Sequence, residues 1–314
     1  MCRPMLPELA EVLTQLPPVD FGDIDNERET LAALMAVAPP LDYGAVVAED
    51  RMIPGPDGAP EIPVHILSVP GDGGGRPGVL DIHGGGFAVG MPAMDEGLNV
   101  AIASALNAVV VSVDYRLAPE HTYPAATDDC FAALQWFAAN ASELGVDPAR
   151  IAVIGDSAGG NLAASTVLRA RDAGGPAVAF QVLLEPELDD RLTSESMNGL
   201  GQDSVIWNLS NAQHSWRYYL AGQEPTPYAA PARMEDLSGL PPTYVTVNEL
   251  DPLRDEGLEY ALRLLAAGVP TEIHCWPQVC HGFGLFPDLD VTQRAAAAVI
   301  GVLGRGLGVA AVAA

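Results

Sequence analysis

Ser157 stands in Gly155-Asp156-Ser157-Ala158-Gly159-Gly160, with a glycine two positions to either side. A serine hydroxyl is a weak nucleophile until a base takes its proton, and the base needs a carboxylate to orient it. The bare pattern G-x-S-x-G is a weak signal. Here it follows an apolar run, Ile151-Ala152-Val153-Ile154, and opens the helix-forming Asn161-Leu162-Ala163-Ala164. That strand–turn–helix setting is what a nucleophile elbow requires. The flanking glycines let the chain turn tightly and leave the hydroxyl unshielded. The plain alternative is a glycine-rich helix N-terminus carrying a structural serine.

A second cluster, His83-Gly84-Gly85-Gly86, directly follows the apolar run Val79–Ile82. Acyl transfer needs preorganised N–H donors where charge develops on the substrate carbonyl oxygen. Gly84, Gly85 and Gly86 can bring bare backbone close to a ligand, and the Ala158 N–H, one past the serine, would add another donor. Nothing resembles a phosphate loop with lysine or a dinucleotide-binding glycine pattern. The His83 ring is expected to fix the loop rather than to act as a base.

Six histidines compete for the role of base. His281 lies in a loop just after the strand expected at Thr271–Trp276, on the same sheet edge as Ser157. His65 and His274 fall within strands, His121 in a proline-rich loop and His214 in an irregular stretch. For the carboxylate, Asp251 follows the strand expected at Thr243–Glu249, and Pro252 fixes the turn after it. Glu249 and Asp255 are its rivals on the same turn. The order Ser157, Asp251, His281 is that of α/β-hydrolases rather than of chymotrypsin or subtilisin.

These residues need a frame. From about Ala45 onward, short β-branched runs alternate with helical stretches: strands at Val64–Val69, Val79–Ile82, Ala108–Val113, Ile151–Gly155, Val178–Leu184, Thr243–Glu249 and Thr271–Trp276. Helices are expected from Thr127, as N-cap, to about Asn140, and near Ala158–Arg171, Glu256–Ala267 and Val291–Leu303. A flexible turn is read at residues 71–75. Alternation of this kind gives a mainly parallel sheet covered on both faces. Before it, leucines at Leu6, Leu9, Leu13 and Leu16, then Glu27 to Val37, read as two helices. Residues 190–232 show no strand period and carry Trp207, Trp216, Tyr218 and Tyr219, which reads as an insertion.

Composition closes off other classes. The chain has 314 residues, 15 basic against 41 acidic, and a net charge of −26. Such a field repels nucleic acid and anionic membranes. Every basic residue is arginine, so Schiff-base, P-loop and kinase-type lysines are excluded. Four cysteines, Cys2 among them, form no disulfide framework. The first residues lack the apolar core of a signal peptide, and the Ala/Gly/Val-rich stretch 295–314, broken by Arg305 and glycines, reads as a surface helix with a frayed tail. A cytoplasmic protein is expected.

The chain resembles the hormone-sensitive-lipase-like group of α/β-hydrolases, the bacterial family IV carboxylesterases. The resemblance runs from about Val64 to Leu285. It rests on His83-Gly84-Gly85-Gly86-Phe87, Asp114-Tyr115-Arg116-Leu117-Ala118-Pro119-Glu120-His121, the Ser157 block, Asp251-Pro252-Leu253-Arg254-Asp255-Glu256-Gly257 and His281-Gly282-Phe283. It implies an eight-stranded, mainly parallel α/β-hydrolase sheet, with residues 1–44 as cap helices and 45–314 as the catalytic domain, 190–232 being a cap insertion. It implies Ser157 as nucleophile, His281 as base, Asp251 as third member, and an oxyanion hole from Gly84 to Gly86 and Ala158. Asp114-Tyr115-Arg116 then reads as a structural turn whose charges pair. The acidic run Leu184-Glu185-Pro186-Glu187-Leu188-Asp189-Asp190 departs from the tyrosine-proline that many relatives carry there.

The expected function is hydrolysis of short- to medium-chain carboxylic esters, with no metal or organic cofactor. The partner is a small-molecule ester, with neither nucleic acid nor membrane, and a homodimer is left open. Phe87, Trp207, Trp216 and Tyr219 are candidate pocket residues, with cap packing as the plain alternative. Amide or carbamate hydrolysis would use the same triad. A receptor that binds without turnover, as plant gibberellin receptors of this group do, would lack the histidine. A zinc site from Cys275, Cys280, His274 and His281 is disfavoured, because strand neighbours point to opposite faces.

Overall fold

A computed structural model describes residues 4–71, 74–202 and 204–309. Cys2, the middle of the turn at 71–75 and the last residues of the tail lie outside these. Eight strands form one sheet: β1 (Val47–Ile53), β2 (Ile62–Ser68), β3 (Arg76–Ile82), β4 (Val109–Val113), β5 (Val146–Asp156), β6 (Phe180–Leu184), β7 (Thr243–Asn248) and β8 (Thr271–Trp276). Their spatial order is β1-β2-β4-β3-β5-β6-β7-β8. β2 pairs antiparallel with β1 and β4, and every other pairing is parallel. The eight-stranded, mainly parallel sheet is therefore as expected.

The helices are α1 (Pro7–Leu13), α2 (Ile24–Val37), α3 (Glu96–Leu106), α4 (Ala125–Ala139), α5 (Ala158–Asp172), α6 (Glu195–Leu200), α7 (Leu209–Leu220), α8 (Arg254–Ala266) and α9 (Asp290–Gly306). Successive residues of a strand face opposite sides of the sheet, and the core divides accordingly. Leu80, Val111, Val153, Leu183 and Val245 pack under α4, α5 and α8. Val79, Val110, Ala152, Val182 and Tyr244 pack under α3 and α9. Both faces are covered, which is why the central strands read as unbroken apolar runs.

Three features differ from the sequence reading. β1 was not foreseen: its sequence VAEDRMI is mostly exposed, as suits an edge strand held by one neighbour. α3 was not foreseen either. Thr127 is not the cap of α4 but its third residue, and its hydroxyl donates back to the Pro124 carbonyl at 2.7 Å.

α1 lies on the loops after β8, where Leu9 and Leu13 are buried against Trp276, Val279, Cys280 and Phe283. Phe21, Ile24 and Leu31 instead pack with Met197, Trp207 and Ala212 of the stretch between β6 and β7. No helix among the described residues is long and apolar enough to cross a membrane.

Candidate active site

Parallel pairing brings the C-terminal ends of β3, β5, β6, β7 and β8 to one edge. Gly155 pairs with Ile82 of β3, and Asp156 with Leu184 of β6. Ser157 is the next residue, between β5 and α5, at φ 54 and ψ −118. A positive φ at a residue with a side chain costs on the order of 1–3 kcal/mol and persists only where the surroundings enforce it. Here the serine N–H donates to the Leu184 carbonyl and its own carbonyl accepts from Glu187, at 2.9 and 3.0 Å. A Cβ on Gly159 would stand 2.0 Å from the Ile82 carbonyl oxygen, so only glycine lets the first turn of α5 press against β3.

The serine Oγ lies 2.9 Å from His281 Nε2, and His281 Nδ1 lies 2.8 Å from Asp251 Oδ2. The other Asp251 oxygen accepts the Leu253 N–H at 2.8 Å, which fixes the carboxylate in the tight turn after β7. All three side chains are buried. The structure thus brings together Ser157, Asp251 and His281 as the sequence predicts. Of the rivals, Glu249 accepts the Gln278 N–H and Asp255 pairs with Arg254. Three of the other histidines are engaged elsewhere: His65 with Asp50, His214 with the Phe21 carbonyl, and His274 stacked on Trp276.

Gly84 to Gly86 curl over the elbow. A Cβ on Gly84 would lie 3.5 Å from that of Ser157. Gly85 and Gly86 have φ values of 111 and 53. Among the described residues no acceptor takes the N–H of either, and the Ala158 N–H is free in the same sense because it opens α5. Three unspent donors around one serine suit a developing oxyanion. His83 supports this loop as expected. Its Nδ1 lies 2.7 Å from the Gly84 carbonyl, and its ring stacks on Tyr115 at 4.2 Å. Burial lowers its pKa to about 4, so the ring is neutral.

The candidate pocket residues separate into two groups. Trp207 tilts over the His281 ring at 5.8 Å and meets Phe21 edge-on at 5.1 Å. Phe87 stacks on Tyr219 at 4.1 Å, with Trp216 beside both. Arg116 does not pair with Asp114 as expected. It forks onto the buried Asp129 of α4 at 2.7 and 2.8 Å, because that carboxylate also accepts the Arg116 backbone N–H.

Sequence reasoning missed the acids that follow β6. Glu185 Oε2 lies 3.6 Å from His281 Nδ1. Ser215 of α7 donates within reach of both the Glu187 carboxylate and the Gly86 carbonyl, at 3.2 and 3.1 Å. Burial raises the Glu187 pKa to about 8 and that of Asp156 to about 6. Burial also raises that of Glu185, helped by the charges of Asp156 and Asp251. Burial works against a charged His281, but Asp251 and Glu185 overcome it and raise the imidazole pKa. The signal available in the sequence was the unusual acidity of residues 184–190.

Residues 79–285 match the family described as alpha/beta hydrolase fold. The carboxylesterase NlhH of Mycobacterium tuberculosis is 39% identical over 290 residues, covering 90% of each chain. Among solved structures, a bacterial heroin esterase superposes with a TM-score of 0.94 at 48% identity, covering 96% of this chain and 98% of its own. A hyperthermophilic esterase from Pyrobaculum calidifontis gives a TM-score of 0.86 at 37% identity, covering 98% and 100%. The chain belongs to the α/β-hydrolase fold family, in its hormone-sensitive-lipase-like group of carboxylic ester hydrolases.

Proposed function

We infer that this chain is a serine carboxylesterase hydrolysing short- to medium-chain esters through an acyl-enzyme. The observation that carries this reading is the unbroken chain Ser157 Oγ, His281 Nε2, Asp251 Oδ2, with steps of 2.9 and 2.8 Å. His281 takes the Ser157 proton as Oγ attacks the ester carbonyl. The oxyanion settles on the N–H groups of Gly85, Gly86 and Ala158, with Gly84 shaping the loop. The imidazolium returns its proton to the leaving alkoxide, and water repeats the sequence to release the acid. Asp251 holds the tautomer and stabilises the imidazolium throughout.

Amide or carbamate cleavage is the second reading, since it would use the same residues. Ester cleavage is favoured because an alkoxide leaves more readily than an amine. A receptor without turnover is disfavoured by the presence of His281 in contact with Ser157. Trp207, against the His281 ring, is the residue best placed to touch substrate. Phe87, Trp216 and Tyr219 form the aromatic wall behind the glycine loop. Residues 1–44 and 190–232 act as the cap over residues 45–314, a division supported by the packing of Phe21 on Trp207. A cytoplasmic location fits the sparse use of cysteine, four in 314 residues. A homodimer is one assembly, and sedimentation would test it.

The decisive experiment is hydrolysis of p-nitrophenyl acetate, butyrate, octanoate and palmitate by the wild type and by Ser157→Ala. Activity should peak at the short chains, and kcat should fall on the order of 10⁶ in the variant, as for subtilisin's serine. Substantial activity in a folded variant would overturn the assignment.

A further inference from the structure

Glu185 is a buried carboxylate at the triad that the relay above does not use. It directly follows β6 with φ 36, and its N–H donates to the Thr246 carbonyl of β7 at 3.0 Å. Its Oε1 accepts the Gly282 N–H at 3.0 Å. Its Oε2 accepts the side-chain amide of Asn248 and faces His281 Nδ1 at 3.6 Å. The Asn248 amide also donates to the Cys280 carbonyl at 3.1 Å. The residues on both sides of His281 are therefore fastened to Glu185, one directly and one through Asn248. Glu185, Asp251 and His281 offer atoms all within 4.8 Å of one another.

We propose that Glu185 is a second positioning carboxylate for His281, clamping its loop from both sides and standing ready to orient the imidazole when Asp251 cannot. His281 Nδ1 lies 2.8 Å from Asp251 Oδ2 and 3.6 Å from Glu185 Oε2, so both carboxylates face the same ring nitrogen. A carboxylate that serves only the fold would bond the loop without facing the ring nitrogen.

The groups facing Glu185 are Asp156 at the end of β5, Asp251 after β7, and Cys280 and His281 after β8, with Glu187 two residues on. Asp156 and Glu185 interact as buried like charges and titrate as a pair. Ionisation of that pair favours the imidazolium. Replacing Glu185 by an amide leaves the remaining charge on Asp156, which acts less on the imidazole than Glu185 does. His281 then loses its proton at lower pH.

The proposal rests on the Ser157–His281–Asp251 reading, so Ser157→Ala is included as a control, and survival of its activity would overturn that reading instead. Hydrolysis of p-nitrophenyl butyrate is measured across pH for the wild type, Glu185→Gln, Asp251→Asn and the double variant, each checked for folding by circular dichroism and thermal melting. Removing the orienting carboxylate alone costs roughly 10⁴-fold in kcat where nothing replaces it. The proposal expects Asp251→Asn to lose about 10²- to 10³-fold, and the double variant to lose at least about tenfold more. It also expects the acid limb of kcat/KM in Glu185→Gln to move to lower pH by about one unit. A double variant as active as Asp251→Asn, with the acid limb of Glu185→Gln unmoved, would overturn it. Should Glu185→Gln fail to fold, Asn248→Asp tests the same clamp, because a second carboxylate facing Glu185 should break the bond to it and lower kcat more than it raises KM.

Discussion

The N–H of Glu187 donates to the carbonyl of Ser157 at 3.0 Å, so the loop after β6 is tied to the peptide of the candidate nucleophile itself. That bond has two consequences. It holds Ser157 at its positive φ, and it draws two buried acids, Glu185 and Glu187, into the shell around His281. The elbow is thus braced by its neighbouring strand as well as by its glycines.

The first prediction concerns pH. As the proposed base, His281 can accept the serine proton only when neutral, and its pKa is raised because the charges of Asp251 and Glu185 outweigh burial. A base with a raised pKa keeps its proton to higher pH. The acid limb of kcat/KM should therefore have its midpoint above the ordinary histidine value of about 6.5. Stopped-flow or plate assays with p-nitrophenyl butyrate from pH 5 upward would measure it, and a midpoint at or below the ordinary value would contradict the electrostatic picture.

Gly86→Ala tests the proposed oxyanion loop. Gly86 has φ 53, and a Cβ there would stand 2.5 Å from the Phe21 ring and 2.8 Å from that of Trp207. The loop must shift, moving its N–H away from the carbonyl oxygen of the substrate. Losing one such donor costs on the order of 10²–10³ in kcat. KM should change far less, and steady-state kinetics separates the two.

Much of this was legible beforehand, for physical reasons. Val79–Ile82 and Ile151–Ile154 are buried on both faces, so their apolar runs announced β3 and β5 without ambiguity. Ser157, Asp251 and His281 stand in the turns that follow such strands, which made them readable as candidates, with Glu249 and Asp255 as rivals of Asp251 until the family resemblance was added. β1 was hidden because an exposed edge strand has no apolar pattern to show. Glu185 was hidden because a carboxylate's role depends on what surrounds it. Only the pairing of Leu184 with Thr246 and of Asn248 with Trp276 brings it against the His281 loop. The partner of Arg116 was missed likewise, since Asp129 lies a helix turn inside α4.

Stability should fall as pH rises. Burial raises the pKa of Asp81 and Asp156 to about 6 and of Glu187 to about 8, and it also raises that of Glu256 well above the usual carboxylate range. Between the unfolded and folded values the native chain holds more protons than the unfolded one, so the slope of stability against pH is negative there. His281, also raised, adds stability below its ordinary pKa that is lost on the alkaline side. His83, lowered to about 4 by burial, sets the opposite limit, since acid favours its charged, unfolded form. Calorimetric melting should give a higher Tm near about pH 5.5 than near about pH 8.5. The reverse ranking would mean that these carboxyls are ionised and solvated.

Arg28 fastens the N-terminal arm. It is on α2, a helix of which only Glu27 is buried. Its guanidinium donates to the carbonyls of Ala88 and Ala118 at 2.9 and 2.8 Å and forks onto Glu120 at 2.6 and 2.8 Å. The ion pair is half exposed on the Glu120 side, and such pairs contribute at most about 1 kcal/mol. The two carbonyls matter more, because each loses its charged donor when Arg28 is removed, at about 1–3 kcal/mol apiece before water replaces it. Arg28→Ala should therefore loosen α2 well beyond what Glu120→Gln does. Hydrogen exchange of the α2 amides should quicken by about tenfold or more in the first variant and by less than about fivefold in the second. Equal effects would place the anchor in the ion pair instead of the carbonyls. An unchanged rate in both would mean that Phe21 and Leu31, packed beside Trp207, hold the arm alone.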